Sequence, residues 1–410
     1  MSPMNRMKCL YCYHEDLFQP NEILCPRCHQ PLLFDSIQFN AAAFSPDGEI
    51  TLQKYRQFLP LPGINLELSL KEGTTPLLRL SGLEKFLNRT GLFAKLETAN
   101  PTLSFKDRGT AVVVQKLGEM KIKKVGTVST GNMASSTAAY AARCGLQAFL
   151  LVKKGTSTGA LISSAVYEPV IIEVDGDYGQ LFYKSYQLGK KYGIYFANSV
   201  DPLRLEGYKL TSFEICQQLG QSPDFIFVPL SSGGHLIGLY KGFLELKQVG
   251  LIKALPTLIG VQAEGCSPVV RAFERGEDKV KKLESTSTLA HSISNPDPPA
   301  GNLVLKIIKE NNGQLVSVSD EEMLAARKLL AVREGLFAQP EASTTLAAYL
   351  KLKERFHGQS VLVLTGHGLK ASELPAGRSQ KHYEVKLEQV DDVLEQIIVN
   401  GQANRTEGNL

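Results

Sequence analysis

One stretch of this chain, Asn100-Pro101-Thr102-Leu103-Ser104-Phe105-Lys106-Asp107-Arg108-Gly109, sets a single lysine behind a Pro-Thr turn. The apolar-rich run from Thr110 to Leu117 has helical length and spacing, with Ser104 or Thr102 as its N-cap. A lysine at that mouth meets the positive end of the helix dipole, which disfavours its ammonium form. An amine kept partly neutral can condense with a carbonyl. Most lysines are simply solvated, so spacing alone leaves both readings open. Three further turns combine hydroxyls with glycines. Ser129-Thr130-Gly131-Asn132 follows a β-branched run ending at Val128 and opens a small-residue helix. Hydroxyls, backbone N–H groups and a helix N-terminus converge there, which suits a carboxylate or another anion as well as it suits a plain capping turn. Ser231-Ser232-Gly233-Gly234-His235 follows a run ending at Leu230, and its paired glycines allow the backbone to wrap a phosphate. It is neither the Walker pattern nor the dinucleotide fingerprint. Thr365-Gly366-His367-Gly368-Leu369-Lys370 follows Leu364 and offers a hydroxyl that could face a heteroaromatic nitrogen. His367 reads equally as a general base or as a turn histidine.

Metal chemistry is written at the other end of the chain. Cys9-Leu10-Tyr11-Cys12 and Cys25-Pro26-Arg27-Cys28 form two CxxC knuckles separated by twelve residues. Each knuckle can offer two thiolates to one tetrahedral Zn²⁺, and four cysteines would leave no open position for catalysis. Tyr13 and His29 stand directly after the knuckles, where zinc ribbons usually carry glycine for its positive φ. The remaining cysteines, Cys144, Cys216 and Cys266, are scattered, and seven in all is an odd count that argues against a disulfide framework.

The elements that must hold these turns read as an α/β pattern. Candidate strands are Lys124 to Val128, Ala148 to Val152, Val170 to Val174, Phe225 to Leu230, Leu258 to Gln262 and Ser360 to Leu364. Amphipathic stretches between them include Ala134 to Cys144, Tyr178 to Tyr192, Leu205 to Leu219 and Asp320 to Arg333. This alternation predicts parallel sheets covered by helices, with ligands at the carboxyl ends of strands. A length of 410 residues allows two or three domains. The formal charge of +4 is small, and Lys121-Ile122-Lys123-Lys124 and Lys279-Val280-Lys281-Lys282 read as solvated faces, so no nucleic-acid partner is expected. No apolar run approaches the roughly 20 residues that span a bilayer, and a cytoplasmic protein without a membrane partner is expected.

Taken in order, these pieces are joined by Glu72-Gly73-Thr74-Thr75-Pro76-Leu77, Asn198-Ser199-Val200-Asp201-Pro202-Leu203-Arg204-Leu205-Glu206-Gly207, Gly260-Val261-Gln262-Ala263-Glu264-Gly265 and Glu334-Gly335-Leu336-Phe337. The chain from Glu72 to Lys370 thereby resembles the threonine synthases, of the fold-type-II pyridoxal-phosphate enzymes. The resemblance implies two parallel-sheet, three-layer domains with an N-terminal zinc ribbon. Residues 1–36 would be the ribbon, 37–93 and 203–376 the large domain, 94–202 a small mobile domain and 377–410 a C-terminal tail. It implies pyridoxal 5'-phosphate and structural Zn²⁺ as cofactors, the zinc on Cys9, Cys12, Cys25 and Cys28. Lys106 would carry the pyridoxal and shuttle protons. Asn132 would bond the ring hydroxyl, Ser231, Ser232, Gly233, Gly234 and His235 would cup the cofactor phosphate, and Thr365 would face the ring nitrogen. Ser129 and Thr130, with Asn132, would take the substrate carboxylate, while Asn198, Ser199 and Arg204 would grip the substrate phosphate. The implied reaction turns O-phospho-L-homoserine and water into threonine and phosphate, in a homodimer.

Several positions depart from that pattern: Leu103 for a glycine, Met133 for a threonine, His235 for an asparagine, Ala371 for an aspartate and Gln339-Pro340-Glu341 for a Glu-Pro-Ala-like run. They bear on the substrate, and leave as an alternative a β-replacement synthase or a deaminating phospholyase acting on another phosphoamino acid such as O-phosphoserine.

Overall fold

A computed structural model describes residues 5–36, 48–156 and 158–371, together with Lys386, Gln389 and 393–396. In chain order the strands and helices begin with β1 (Arg6–Lys8), β2 (Glu15–Leu17), β3 (Leu33–Phe34), α1 (Thr51–Lys54), β4 (Leu77–Arg79), α2 (Ser81–Leu87), β5 (Leu92–Leu96) and α3 (Lys106–Glu119). Next come β6 (Lys124–Val128), α4 (Asn132–Arg143), β7 (Gln147–Lys153), α5 (Thr158–Ala165), β8 (Val170–Val174), α6 (Tyr178–Tyr192), β9 (Tyr195–Phe196) and α7 (Pro202–Leu219). The remainder are β10 (Phe225–Pro229), α8 (Gly234–Gln248), β11 (Thr257–Ala263), α9 (Pro268–Glu274), α10 (Gly301–Glu310), β12 (Gln314–Val318), α11 (Asp320–Glu334), α12 (Pro340–Leu352) and β13 (Ser360–Leu364).

Three sheets result. The N-terminal module is a three-stranded antiparallel sheet in the order β2-β1-β3. A six-stranded sheet runs β12-β11-β10-β13-β5-β4, all parallel except the β4 edge. A four-stranded parallel sheet runs β8-β7-β6-β9. The central strands of the large sheet read as unbroken apolar runs, as strands covered on both faces must. β5 crosses the expected boundary at 93/94: all of Leu92–Leu96 pairs into the large sheet. It escaped the sequence reading because Lys95 sits in its middle, fully buried.

Two ionic clusters without access to water pin the layers. Arg108 Nε donates to Glu97 at 2.6 Å and its Nη2 to Glu214 at 2.7 Å, and Lys95 donates to Glu214 at 2.6 Å. Glu214 also accepts from the backbone N–H of Thr74 at 2.7 Å, which ties the Gly73-Thr74-Thr75 turn to α3 and α7. Between α7 and α8, Lys209 and Lys241 alternate with Glu206 and Glu245 in a second cluster. Paired and hydrogen-bonded in this way, four charges can be buried that would be prohibitive singly.

Residues up to Ala371 form one compact unit and those from Ser372 another. Of the tail expected over 377–410, the helix from Val390 to Val399 falls outside the described residues except for one helical turn at 393–396. Among the described residues no helix is long and apolar enough to cross a membrane.

Candidate active site

Lys106 is the first residue of α3, but neither Thr102 nor Ser104 caps that helix. Phe105 occupies the N-cap position without a side-chain bond. The Thr102 hydroxyl and backbone N–H both donate instead to the Asp107 carboxylate, each at 2.6 Å, so the first helical turn grips the Pro-Thr turn from inside. Burial raises Asp107 to about 6, opposed by those two bonds. Leu103 is left-handed, with φ of 62°. That is the reason a glycine suits this position: a side chain there costs backbone strain of roughly 1–2 kcal/mol.

The lysine loop is stitched to the late hydroxyl turn. Phe105 N–H donates to the Thr365 carbonyl at 3.1 Å, His367 N–H to the Leu103 carbonyl at 3.0 Å, and Lys370 Nζ to the Thr102 carbonyl at 2.7 Å. His367 Nδ1 accepts from Leu369 N–H at 3.2 Å, which is the turn role. Gln339, just before α12, joins the same knot. Its N–H donates to the Gly366 carbonyl at 2.9 Å, and its Oε1 accepts from Asn132 Nδ2 at 2.7 Å. Asn132 and Thr365, far apart in sequence, are thus brought to one place with the lysine loop.

Lys106 Nζ lies 4.3 Å from the centre of the Phe105 ring and 5.6 Å from that of Tyr208. It has no carboxylate partner among the described residues. Burial first, then the charge of Arg204, pushes it down to about 7. Behind Phe105 stacks His235, with ring centres 3.9 Å apart and planes 20° from parallel. Both imidazole nitrogens are buried without a hydrogen-bond partner among the described residues. Burial, then Lys106, pushes His235 well below its ordinary value, so the ring is neutral. A neutral imidazole with donor and acceptor both unmet is costly, on the order of 1–3 kcal/mol per group. Such a pair of orphans beside a low-pKa lysine marks a place for a polar ligand.

His235 ends the glycine-rich turn. Gly233 has φ of +97°, and a Cβ on it would lie 2.9 Å from Ala300 Cβ and from Val304 Cγ2. A Cβ on Gly234 would lie 2.2 Å from the Ser199 carbonyl, so the Asn198-Ser199 segment runs across the mouth of this turn. The Ser232 hydroxyl accepts from Asn295 Nδ2 at 2.9 Å. Gly234 opens α8, whose N-terminus adds positive potential to the turn.

Of the residues expected at the substrate phosphate, Ser199 is partly exposed, whereas Asn198 and Arg204 are fully buried. Asn198 Oδ1 accepts from Val128 N–H at 2.8 Å and its Nδ2 donates to Ser185 at 2.9 Å, bracing the entry to Ser129. Arg204 donates through Nε to the Ala197 carbonyl at 2.7 Å, and through Nη1 and Nη2 to Thr110 and Thr137, both at 2.8 Å. Ser129 Oγ accepts from Gly131 N–H at 3.3 Å, and Thr130 lies partly exposed at the start of α4. Phe105 and Tyr208 beside Lys106 were not given a role by the sequence, and Gln339 was visible there only as a departure. The acidic-basic pair Asp107-Arg108, directly after the lysine, was the available signal that this helix start is anchored from within.

The four N-terminal thiols meet in one cluster, with all Sγ atoms within 4.8 Å of one another, Cys9 to Cys28 at 3.4 Å and Cys12 to Cys25 at 3.5 Å. Tetrahedral thiolates on zinc stand about 3.8 Å apart, from a Zn–S bond of about 2.3 Å. Tyr13 and His29 adopt φ of 59° and 58°, the left-handed turns that glycine otherwise supplies.

A family model described as pyridoxal-phosphate dependent enzyme matches residues 68–366. A curated threonine synthase of Methanocaldococcus jannaschii is 37% identical over 356 residues, 85% of this chain and 87% of that protein. One of Synechocystis sp. is 34% identical over 78% of this chain and 82% of its own length. Among solved structures, maize serine racemase has a TM-score of 0.61 at 19% identity, over 80% of this chain and 93% of that one. The processed form of threonine deaminase isoform 2 from Solanum lycopersicum has 0.62 at 18%, over 79% and 83%. At these identities the likeness to the two structures is one of fold.

Proposed function

We propose a reaction from one premise: the chain belongs to the pyridoxal-phosphate-dependent enzymes, and within them to the threonine synthase family. On that premise it converts O-phospho-L-homoserine and water to L-threonine and phosphate. The observation that carries the chemistry is Lys106, an amine at about 7 with no carboxylate partner among the described residues, next to a glycine-rich turn whose histidine has two unmet nitrogens. Pyridoxal 5'-phosphate fits these residues: Lys106 for the carbonyl, Ser231 to His235 and the α8 N-terminus for the phosphate, Asn132 and Thr365 for the ring. When bound, the cofactor supplies an electron sink that stabilises negative charge next to the substrate amine.

The remaining work belongs to side chains. Lys106, near neutrality in pKa, takes protons from the α- and β-carbons and returns them. Phe105, Tyr208 and His235 keep water from its amine. Ser129, Thr130 and the α4 N-terminus receive the carboxylate. Ser199 and Arg204 face the substrate phosphate, with Asn198 bracing them. In the net reaction the Cγ–O bond breaks and phosphate leaves, one Cβ–H bond breaks while Cγ gains a proton to become a methyl, and the hydroxyl of water joins Cβ as its proton goes to the phosphate. The Cys9, Cys12, Cys25 and Cys28 cluster holds structural Zn²⁺. We carry forward a cytoplasmic homodimer and the division into ribbon, large and small domains as parts of the same proposal, with the large domain extended through β5.

The test is a phosphate-release assay on O-phosphohomoserine, O-phosphoserine and O-phosphothreonine with product identification. Threonine and phosphate in equal amounts from the first are expected. Release of pyruvate or 2-oxobutyrate in place of threonine overturns the assignment.

A further inference from the structure

The N-terminal module contacts two elements that lead to the candidate site, β9 and α10. Asn21, between the knuckles, is buried against the free edge of β9. Its Nδ2 donates to the Ile194 carbonyl at 3.0 Å and its Oδ1 accepts from Phe196 N–H at 2.9 Å. One amide side chain thus supplies the donor and acceptor that a neighbouring strand would supply, on the side where β9 has no strand partner among the described residues. Two residues later in the chain stand Asn198 and Ser199, the brace of the Ser129 turn and the wall of the glycine-rich turn.

On the opposite side, Gln30 Oε1 accepts from Leu303 N–H at 3.0 Å. Lys306 Nζ donates to the Leu10 and Tyr11 carbonyls at 3.1 and 2.9 Å and to the Tyr13 hydroxyl at 3.2 Å. Leu10 and Tyr11 are the two residues between Cys9 and Cys12, so their carbonyls point where the knuckle turn points them. Leu303 and Lys306 lie on α10, and the start of α10 backs the glycine-rich turn. Ala300 N–H donates to the Ser232 carbonyl at 3.2 Å, and Ala300 with Val304 fills the space beneath Gly233. A continuous chain of packed contacts therefore runs from the thiols through α10 to the turn.

We propose that the four-cysteine module is a metal-closed positioning clamp for the glycine-rich turn: closing the knuckles fixes α10 behind Ser232 and Gly233, and metal occupancy thereby sets the affinity of that turn for a phosphate. The proposal rests on the reading of the turn as a phosphate cup. The Lys106 amine has anchors of its own, Asp107 and the Thr365 turn, and the glycine-rich turn reaches it only through the His235 ring stacked on Phe105. Loss of metal acts on the phosphate end of a ligand and spares the carbonyl end.

The experiment uses the full chain in three forms: zinc-replete, zinc-stripped by chelator under reducing conditions, and zinc-replete Lys306→Met. Each is titrated with pyridoxal 5'-phosphate and with pyridoxal, which lacks the phosphate, following the visible absorbance of the lysine-bound aldehyde; zinc is assayed directly and melting is recorded. The stripped and Lys306→Met proteins are expected to bind pyridoxal 5'-phosphate about tenfold more weakly, the change given by ~1.4 kcal/mol, with pyridoxal affinity unchanged. Zinc readdition restores the stripped protein only. Equal weakening toward both aldehydes, or no change toward either, overturns the clamp. A zinc-replete protein that does not prefer pyridoxal 5'-phosphate over pyridoxal overturns the phosphate-cup reading itself.

Discussion

Lys106 and Lys95 lie in the same unit, the first half-buried and the second fully buried, and they have been given opposite surroundings. Lys95 is fully buried and donates to the Glu214 carboxylate, the Thr75 carbonyl and Gln218, at 2.6, 2.7 and 2.9 Å. Lys106 faces two aromatic rings, a neutral imidazole and the charge of Arg204. Around Lys95 the cost of burying charge is offset by a carboxylate and hydrogen bonds, and the result is a rivet. Around Lys106 no carboxylate among the described residues offsets it, and the result is an amine held at about 7. Burial makes a lysine reactive only where counter-charge is withheld. The second cluster repeats the lesson: Lys241 is raised by Glu206 and Glu245 although burial works against it.

The strongest break of this comparison is Lys106→Ala. With that amine gone, the chain should lose its covalent hold on the aldehyde, and catalysis should fall by more than about 10²-fold, the scale of a removed general acid–base. Melting should hardly change, since no ion pair or hydrogen bond of Lys106 is lost among the described residues. Retained turnover would place the chemistry on another group. The companion change, Arg108→Met in the Lys95 cluster, should do the reverse. It leaves Glu97 and Glu214 buried beside a single lysine and should destabilise the fold by about 3–5 kcal/mol. Chemical denaturation measures it, and a loss below about 1 kcal/mol would show that the cluster is not buried in solution.

Proton linkage separates the two lysine environments further. Glu214 is pushed up by burial but held far below its ordinary 4.5 by Arg108 and Lys95. A depressed carboxyl contributes stability that is present above 4.5 and lost as pH falls, so the wild type should weaken on acidification below that value and the Arg108→Met variant should show less of this dependence. Lys106 is also depressed, but as a base. Between about 7 and 10.5 the unfolded chain binds a proton that the folded one does not, so its own contribution to stability rises with pH across that window. The rate at which cofactor-free protein captures pyridoxal 5'-phosphate should climb through pH 7 and level off above it. Arg204→Met, which removes the second cause of the depression, should move that climb to higher pH. A capture rate still rising at pH 10 in the wild type would mean that the amine is ordinarily solvated.

These contrasts also mark what could be read from residues in a row. Tyr178–Tyr192, capped by Asp177 and ended by left-handed Gly193, is a local device and was readable to the residue. The Ser129, Ser231 and Thr365 turns were readable as turns for the same reason, since each follows a strand end and precedes a helical turn. β5 was not, because Lys95 in its centre is neutralised by Glu214, 119 residues away. Gln339 was visible only as a departure from a family pattern; its bond to Asn132 spans 207 residues. Arg204 was read as a substrate hand. Its position in the fold gives it a prior task, holding Ala197, Thr110 and Thr137 together while its charge bears on Lys106.

The smallest effect expected is at Leu103, where the lysine loop is strained. Its N–H donates to the Asn100 carbonyl at 2.8 Å and its carbonyl accepts from His367, so both neighbours hold the residue left-handed at φ of 62°. Leu103→Gly removes a penalty of roughly 1–2 kcal/mol for that conformation. It also adds chain entropy to the unfolded state, worth roughly 0.5–1 kcal/mol in the other direction. The net should be a stabilisation of up to about 1 kcal/mol with the lysine chemistry intact. A destabilisation of that size would mean that the leucine side chain, partly buried beside the mouth, contributes more through packing than its backbone costs. In that case the departure from glycine is a feature of the pocket wall, and the Leu103→Gly protein should admit substrates that the wild type rejects.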